Sequence, residues 1–203
     1  MKTYPIFLVH LAGRRCIVLG GGSEAERKAR ELLDCEAAVT VVAGEASEGI
    51  RELSGGGRLE WIARDYRTGD LRGAFLAISA VADRSLNVDI AREARRERVL
   101  LNAMDDPDRC DFIAGSLVRR GPLTVGISTG GAAPALAVRL RERLERELGA
   151  EYGALTELLG RLREPLARRY PDPVRRRRAW YDLVDSDLID ELAPPAPHHR
   201  GTG

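Results

Sequence analysis

The sequence predicts an α/β protein: a parallel Rossmann-type sheet, then an antiparallel-strand and helical region, then a C-terminal helical region. Three observations predict it. Short apolar, β-branched runs alternate with helix-favouring segments as far as Asn102, which is the rhythm of right-handed crossovers. The first apolar run stops at three glycines, Gly20-Gly21-Gly22, and a helix-favouring segment follows at once. Beyond residue 110 the rhythm fails. Two extended runs, 111–119 and 122–129, are separated only by Arg120-Gly121, too short for a parallel crossover, so they pair antiparallel or diverge.

Each element has its own local reason. Residues 1–14 form an arm in which Pro5, Phe7 and Val9 share one side of an extended run and can pack on the sheet. Cys16 to Leu19 is the first strand. After the glycines, Ala25, Ala29, Leu32 and Leu33 recur at helical spacing, with Glu26, Arg27, Lys28 and Arg30 around them. Val39 to Val42 is a β-branched second strand, ending in Ala43-Gly44-Glu45, and a helix over 46–53 follows. Strands over 59–62 and 74–78 flank a loop that runs from Asp65 to Leu71. A helix over 84–98 sets Leu86, Ile90 and Ala94 on one face, and 99–102 is the fifth strand. Beyond the antiparallel runs, a helix over 134–148 carries Leu136, Leu140 and Leu144 on one side. Amphipathic helices over 152–168 and 174–183 complete the chain, and the Pro- and His-rich residues 194–203 read as a disordered tail. The expected division is a nucleotide-binding domain over 1–112, a dimerisation region over 113–148 and a helical region over 149–193.

Composition narrows the function classes. Across 203 residues, 44% hydrophobic content supports a core, and 31% charged content keeps it soluble. A net charge of +1 does not suggest nucleic-acid binding, and the run Arg175 to Arg178 reads as a solvated helix face. No apolar run approaches bilayer length and no signal peptide is legible, which points to the cytoplasm without a membrane partner. The 3 cysteines, Cys16, Cys35 and Cys110, offer neither a zinc spacing nor a disulfide framework, so no metal site is expected. His198 and His199 belong to the tail.

The glycine turn carries the first chemistry. Gly20-Gly21-Gly22-Ser23-Glu24-Ala25 is a G-x-G-x-x-A fingerprint placed between a strand and a helix, where backbone N–H groups can meet a pyrophosphate. Ser23 also fits a helix N-cap. An acid for the cofactor ribose belongs about twenty residues beyond the fingerprint. Glu45 lies near that distance; a carboxylate at the start of the next helix explains it too.

Three stretches together identify a family: Gly20 to Ala29; Asn102-Ala-Met-Asp-Asp-Pro107; and Asp111-Phe-Ile with the segment from Arg119 to Ala137, which contains Ser-Thr-Gly-Gly-Ala-Ala-Pro134. In order and spacing they resemble the precorrin-2 dehydrogenase and sirohydrochlorin ferrochelatase family, the dehydrogenase/chelatase part of siroheme synthase. The likeness runs from about residue 3 to residue 183, and 203 residues leave no room for the methyltransferase domain fused to some relatives. It implies a homodimer that oxidises precorrin-2 to sirohydrochlorin with NAD, and in some members inserts ferrous iron to give siroheme. A chelatase-dominant member and a non-catalytic NAD(H)-sensing module are the rival readings.

The resemblance also implies roles for residues. Asp105, the acid of Asn-x-x-Asp-x-Pro, is the expected catalytic carboxylate, although Asp105-Asp106-Pro107 is also a plain turn sequence. Gly20, Gly21, Gly22, Ser23, Glu24, Gly44 and Glu45 match cofactor contacts. Ser128, Thr129 and Gly130 match a segment beside the substrate; some relatives phosphorylate a serine where this chain has Thr129. By their own chemistry, Arg119 and Arg120 could present guanidinium forks to substrate carboxylates; a solvated hairpin tip explains them equally.

Overall fold

The structure, a computed structural model, describes residues 4–193, so the tail over 194–203 with His198 and His199 lies outside the described residues. The chain forms two compact units that divide between Ala114 and Gly115.

The first unit is a five-stranded parallel sheet. Strands β1 (Arg15–Leu19), β2 (Ala38–Val42), β3 (Glu60–Ile62), β4 (Leu76–Ser79) and β5 (Leu100–Ala103) lie in the order β3-β2-β1-β4-β5. Helices α1 (Ser23–Leu33), α2 (Glu48–Gly55) and α3 (Arg84–Glu97) provide crossovers. The winding reverses between β1 and β4, and a doubly wound sheet opens its ligand crevice at the carboxyl ends of such a pair.

Strand pleating feeds the two faces alternately. Cys16 and Val18 join Val39, Val41, Leu76 and Ile78 under Ala25, Ala29 and Leu32 of α1 and Ile50 of α2. Ile17 and Leu19 point the other way, into a second cluster with Ala77, Leu101 and Ile90, Ala91 and Ala94 of α3. With both faces covered, the strands need apolar residues at consecutive positions, which is why they read as unbroken runs. Full burial of each large side chain here contributes roughly 1.5–3 kcal/mol.

Several expectations are corrected. In the arm, Phe7 and Val9 are exposed; Leu8, on the opposite side of the run, packs on the core, and Leu11 is buried beyond His10, whose φ of +59 ends the extended run. Lys28, expected on the charged face of α1, is 2% exposed and reaches Glu31 at 2.8 Å. Residues 111–115 do not form a strand. Instead Asp111 returns alongside β5: its N–H donates to the Leu101 carbonyl (2.7 Å) and its Oδ2 accepts the Leu101 N–H (3.0 Å). A side-chain oxygen thus stands in for a neighbouring strand and closes the sheet edge.

The second unit opens with an antiparallel hairpin, β6 (Ser116–Arg120) and β7 (Leu123–Ile127), in which Arg120 pairs with Leu123. The turn is therefore Gly121-Pro122, one residue later than expected. Four helices follow: α4 (Pro134–Glu147), α5 (Glu151–Arg169), α6 (Pro173–Val184) and a short α7 (Leu188–Leu192) that periodicity did not reveal. On α4 the expected apolar face is not covered by this chain. Leu136 and Leu140 are exposed, and the buried residue is Ala137.

Replacing Asp111 by Ala should lower stability by about 1–2 kcal/mol, because the buried Leu101 N–H loses its acceptor. Asp111→Asn keeps a carbonyl oxygen there and should stay closer to wild type; urea unfolding followed by circular dichroism compares them.

Candidate functional site

The site begins where β1 stops. Gly20 adopts φ +108, a region that favours glycine, and a Cβ there would stand 3.1 Å from the Ala80 carbonyl oxygen just past β4. Gly21 is tighter still. A Cβ on it would lie 1.8 Å from the Glu45 carbonyl oxygen, so no side chain fits. The Ser47 N–H donates to the Gly21 carbonyl (2.7 Å), which fastens the segment after β2 to the turn. Gly22 differs: a Cβ there would meet nothing within 4 Å. Ala25, third in the fingerprint, is fully buried where α1 meets the sheet.

Gly22 caps α1 and supplies no side-chain acceptor to its first turn. The leading N–H groups of the helix thus face the open space above Gly22, with the positive end of the helix dipole behind them. Ser23 is the first residue of the helix and not its cap, which corrects the N-cap reading. Glu24 pairs with Arg27 at 2.6 Å, and this hydrogen bond holds its carboxyl below the usual carboxylate range.

Beside the turn lies a cleft of about 580 Å³ lined by Gly20, Gly21, Val42, Ala43, Gly44 and Glu45 from one side of the crevice. Asp65, Tyr66, Val81 and Leu86 complete it. Two carboxylates and no Lys or Arg belong to this lining. Glu45 precedes the α2 cap, Ser47, by two residues, so it does not occupy the first turn of that helix. Asp65 and Tyr66 were not singled out from the sequence. The available signal was position: an acid three residues past β3, on the same carboxyl edge as Glu45.

At the other side of the crevice, β5 ends in Asn102-Ala103 and the chain turns through Met104 and Asp105. The neighbouring acids are separated by their environments. Asp106 is 8% exposed and ion-paired with Arg109, and its N–H bonds the Ala103 carbonyl (3.2 Å). Asp105 is exposed, has φ +60, and makes no hydrogen bond or ion pair among the described residues. Aspartate tolerates the left-handed conformation better than most residues. Asn102 steadies the loop, donating to the Phe112 carbonyl (2.9 Å), and the Cys110 thiol bonds the Ala103 carbonyl (3.1 Å). Burial pushes the Cys110 thiol up, and pushes Cys16 to about 11, so both stay protonated and structural. All these strands are parallel, and β5 lies two places from β1. Asp105 and the glycine turn therefore share one edge, two strand spacings or about 10 Å apart.

In the second unit, the Ser128 hydroxyl accepts the Gly130 N–H (3.2 Å), and the Thr129 hydroxyl accepts the Ala133 N–H (3.2 Å). Both hydroxyls shape the loop that leads into α4. Arg120 donates to the carbonyls of Leu148 (2.6 Å), Glu145 (2.7 Å) and Arg119 (2.9 Å). Its fork satisfies carbonyls at the end of α4.

Among the described residues no group of His, Cys, Asp and Glu is arranged to hold a metal, and no helix is long and apolar enough to cross a membrane.

A parallel sheet with this switch point, an uncapped helix start over an open glycine, and an acid-lined cleft define a dinucleotide-binding protein. Comparison with known proteins gives the family. The model described as "Putative NAD(P)-binding" matches residues 7–116. Those described as "Sirohaem biosynthesis protein central" and "Sirohaem synthase dimerisation region" match 120–147 and 151–193. The chain belongs to this "Putative NAD(P)-binding" family, with the two sirohaem-associated regions following it. It is 40% identical over 191 residues to "Siroheme synthase 3" of Aeromonas hydrophila, covering 94% of this chain and 41% of that one. "Siroheme synthase" of Methylococcus capsulatus is 41% identical over 190 residues, covering 94% and 40%. The chain thus spans about two fifths of the length of these curated relatives. Among solved structures it resembles "SirC, precorrin-2 dehydrogenase", with TM-score 0.73, 27% identity and 92% of each chain covered.

Two glycine variants separate fold from binding. Gly21→Ala should cost about 1–3 kcal/mol or more through the clash with the Glu45 carbonyl. Gly22→Ala should cost less than the Gly21 change, through a poorer helix cap alone, and should weaken dinucleotide binding, because its methyl group would occupy the open space above the helix start. Thermal melts and calorimetric titration with NAD+ read the two effects.

Proposed function

We propose that this protein oxidises precorrin-2 to sirohydrochlorin with NAD+, with Asp105 as the proton acceptor, and that it works as a homodimer. The observation that carries the reading is the pairing on one sheet edge. The open helix start at Gly22 lies two strands from Asp105, an exposed carboxylate held at φ +60 with no partner among the described residues.

The chain's residues fit the dinucleotide. The first-turn N–H groups of α1 suit its pyrophosphate, and Glu45 or Asp65 can accept from the hydroxyls of a ribose. With two carboxylates and no cation in the cleft lining, a free 2′-hydroxyl is favoured over a 2′-phosphate, hence NAD over NADP. When bound, the nicotinamide ring supplies the hydride acceptor. Forming the new double bond of the product takes one hydride and one proton from the substrate. Asp105 takes the proton, as a carboxylate within reach of a reacting C–H or N–H can do. Asp106, already tied to Arg109, holds the loop in shape.

Exposed apolar side chains support the homodimer. Leu136, Val138 and Leu140 of α4, with Val174, Tyr181 and Val184 of α6, are large and exposed in the single chain. Such patches mark surfaces that meet another protein. The family resemblance also implies a second activity, the insertion of ferrous iron, as a substrate, into sirohydrochlorin. An anaerobic iron-insertion assay on sirohydrochlorin, without NAD+, tests that activity separately.

Asp105→Asn should keep the fold and NAD+ affinity and lower kcat by about 10²–10⁴-fold, the usual weight of a positioned general base. Asparagine also tolerates the left-handed backbone, so the change isolates the proton. Precorrin-2 and NAD+ mixed with the protein should yield NADH and sirohydrochlorin absorbance. No turnover by wild type would sink the reading, and full turnover by the variant would remove Asp105 from it.

A further inference from the structure

Glu93 is 1% exposed, more deeply buried than Asp106, and takes no part in the chemistry above. It sits on α3 among residues that serve the core, between Ala91 and Ala94. A carboxylate is tolerated there only when its oxygens are filled, and the fillings identify its purpose. Oε1 accepts the N–H of Gly69 (2.8 Å) and of Leu71 (3.3 Å), and Oε2 accepts the Tyr66 hydroxyl. Among the described residues its ion-pair partner, Arg96, stands at 3.8 Å and is half exposed. None of the three closest donors belongs to α3. All come from the loop that joins β3 to β4.

That loop carries one wall of the cleft. Asp65 and Tyr66 line it, and Tyr66 also bonds Glu93 through its hydroxyl. Burial, and then the hydrogen bond to Glu93, hold the Tyr66 phenol well above its usual value, so it remains a donor. Arg64 and Asp70 staple the loop to itself with two hydrogen bonds of 2.7 and 2.8 Å, and Leu71 is fully buried. The internal staple fixes the loop's shape. Glu93, from α3, holds the Tyr66, Gly69 and Leu71 part of the loop, while Arg15 of β1 donates to the carbonyls of Asp70 (3.2 Å) and Arg72 at its later end.

We propose that Glu93 is a positioning residue for the cofactor cleft. Through Tyr66, Gly69 and Leu71 it sets the Asp65–Tyr66 wall before the dinucleotide arrives, so that binding does not have to order the loop. The inference rests on the reading that this cleft takes NAD+.

The test compares wild type with Glu93→Ala, Glu93→Gln and Ile90→Val in calorimetric titrations with NAD+, at a temperature where all are folded. Glu93→Ala should raise Kd about tenfold or more, with the rise appearing in KM for NAD+ and not in kcat. Glu93→Gln retains an oxygen for Gly69 and Leu71 and should stay within about threefold of wild type. Ile90→Val thins the core beneath the same helix and should leave Kd unchanged, which separates positioning from mere stability. Amide hydrogen exchange of the apo protein should quicken at Gly69 and Leu71 in Glu93→Ala alone. A folded Glu93→Ala with wild-type Kd, or with unchanged exchange at those amides, overturns the proposal. Should Glu93→Ala not fold, Tyr66→Phe removes only the hydroxyl, and its unchanged Kd would overturn the proposal equally. If wild type itself shows no NAD+ binding, the cofactor reading fails, and the exchange comparison still decides whether Glu93 holds the loop.

Discussion

The carbonyl oxygen of Glu45 sits where a side chain on residue 21 would begin, and the carbonyl of Ala80 presses on Gly20 from the other side. This close packing of bare backbone at the switch point governs much of the first unit. It lets Ser47 bond the Gly21 carbonyl and brings the end of β2 against the start of α1. Glu26 reinforces the join: its carboxylate accepts the Ser47 hydroxyl at 2.6 Å, and Ser47 in turn caps α2. The crevice exists because these loops approach without side chains between them. Only at Gly22 does the same turn leave open space, above helix N–H groups that have no internal acceptor.

The two ends of the crevice are built on different physics. The glycine end works by absence of side chains and by backbone dipoles. The Asp105 end works by contrast between adjacent carboxylates. Asp106 is drawn into an ion pair and a turn, and Asp105 is pushed out at a left-handed φ. A backbone conformation of that kind costs energy, of order 1 kcal/mol for most residues, and persists where its surroundings enforce it. Here the enforcing contacts are the Asn102 and Cys110 bonds to the loop's own carbonyls. Between the two ends, Glu93 ties the otherwise irregular β3–β4 loop to α3, so even the cleft wall without secondary structure has a fixed support.

The second unit follows another logic. Its hairpin and α4 are joined by Arg120, which satisfies carbonyls at the end of the helix. Its apolar side chains are only partly covered by its own chain, with Val118, Ala137 and Leu155 as the buried ones. Large apolar residues stay exposed on α4 and α6, and the proposed homodimer rests on them.

The sequence by itself determined the alternating elements, the glycine fingerprint between strand and helix, and the break in rhythm that announces the hairpin. These are local properties: apolar runs, helical spacing and a turn too short to cross over. It also brought forward Asp105, though only through a resemblance in motif order, because an Asp-Asp-Pro string is equally a turn. What tertiary structure decided was everything that depends on a neighbour distant in sequence. Gly21 is constrained by Glu45, Asp111 closes β5 in place of a strand, and Arg120 caps a helix. Phe7 and Val9 face outward because Leu8, on the opposite side of the run, packs on the core. Asp65 offers only its position past β3, and Tyr66 and Glu93 carry no signal in a loop and a charged helix, since their pairing spans more than twenty residues. Local chemistry specifies elements; which of two equivalent faces or two adjacent carboxylates is buried is set by packing, and packing is non-local.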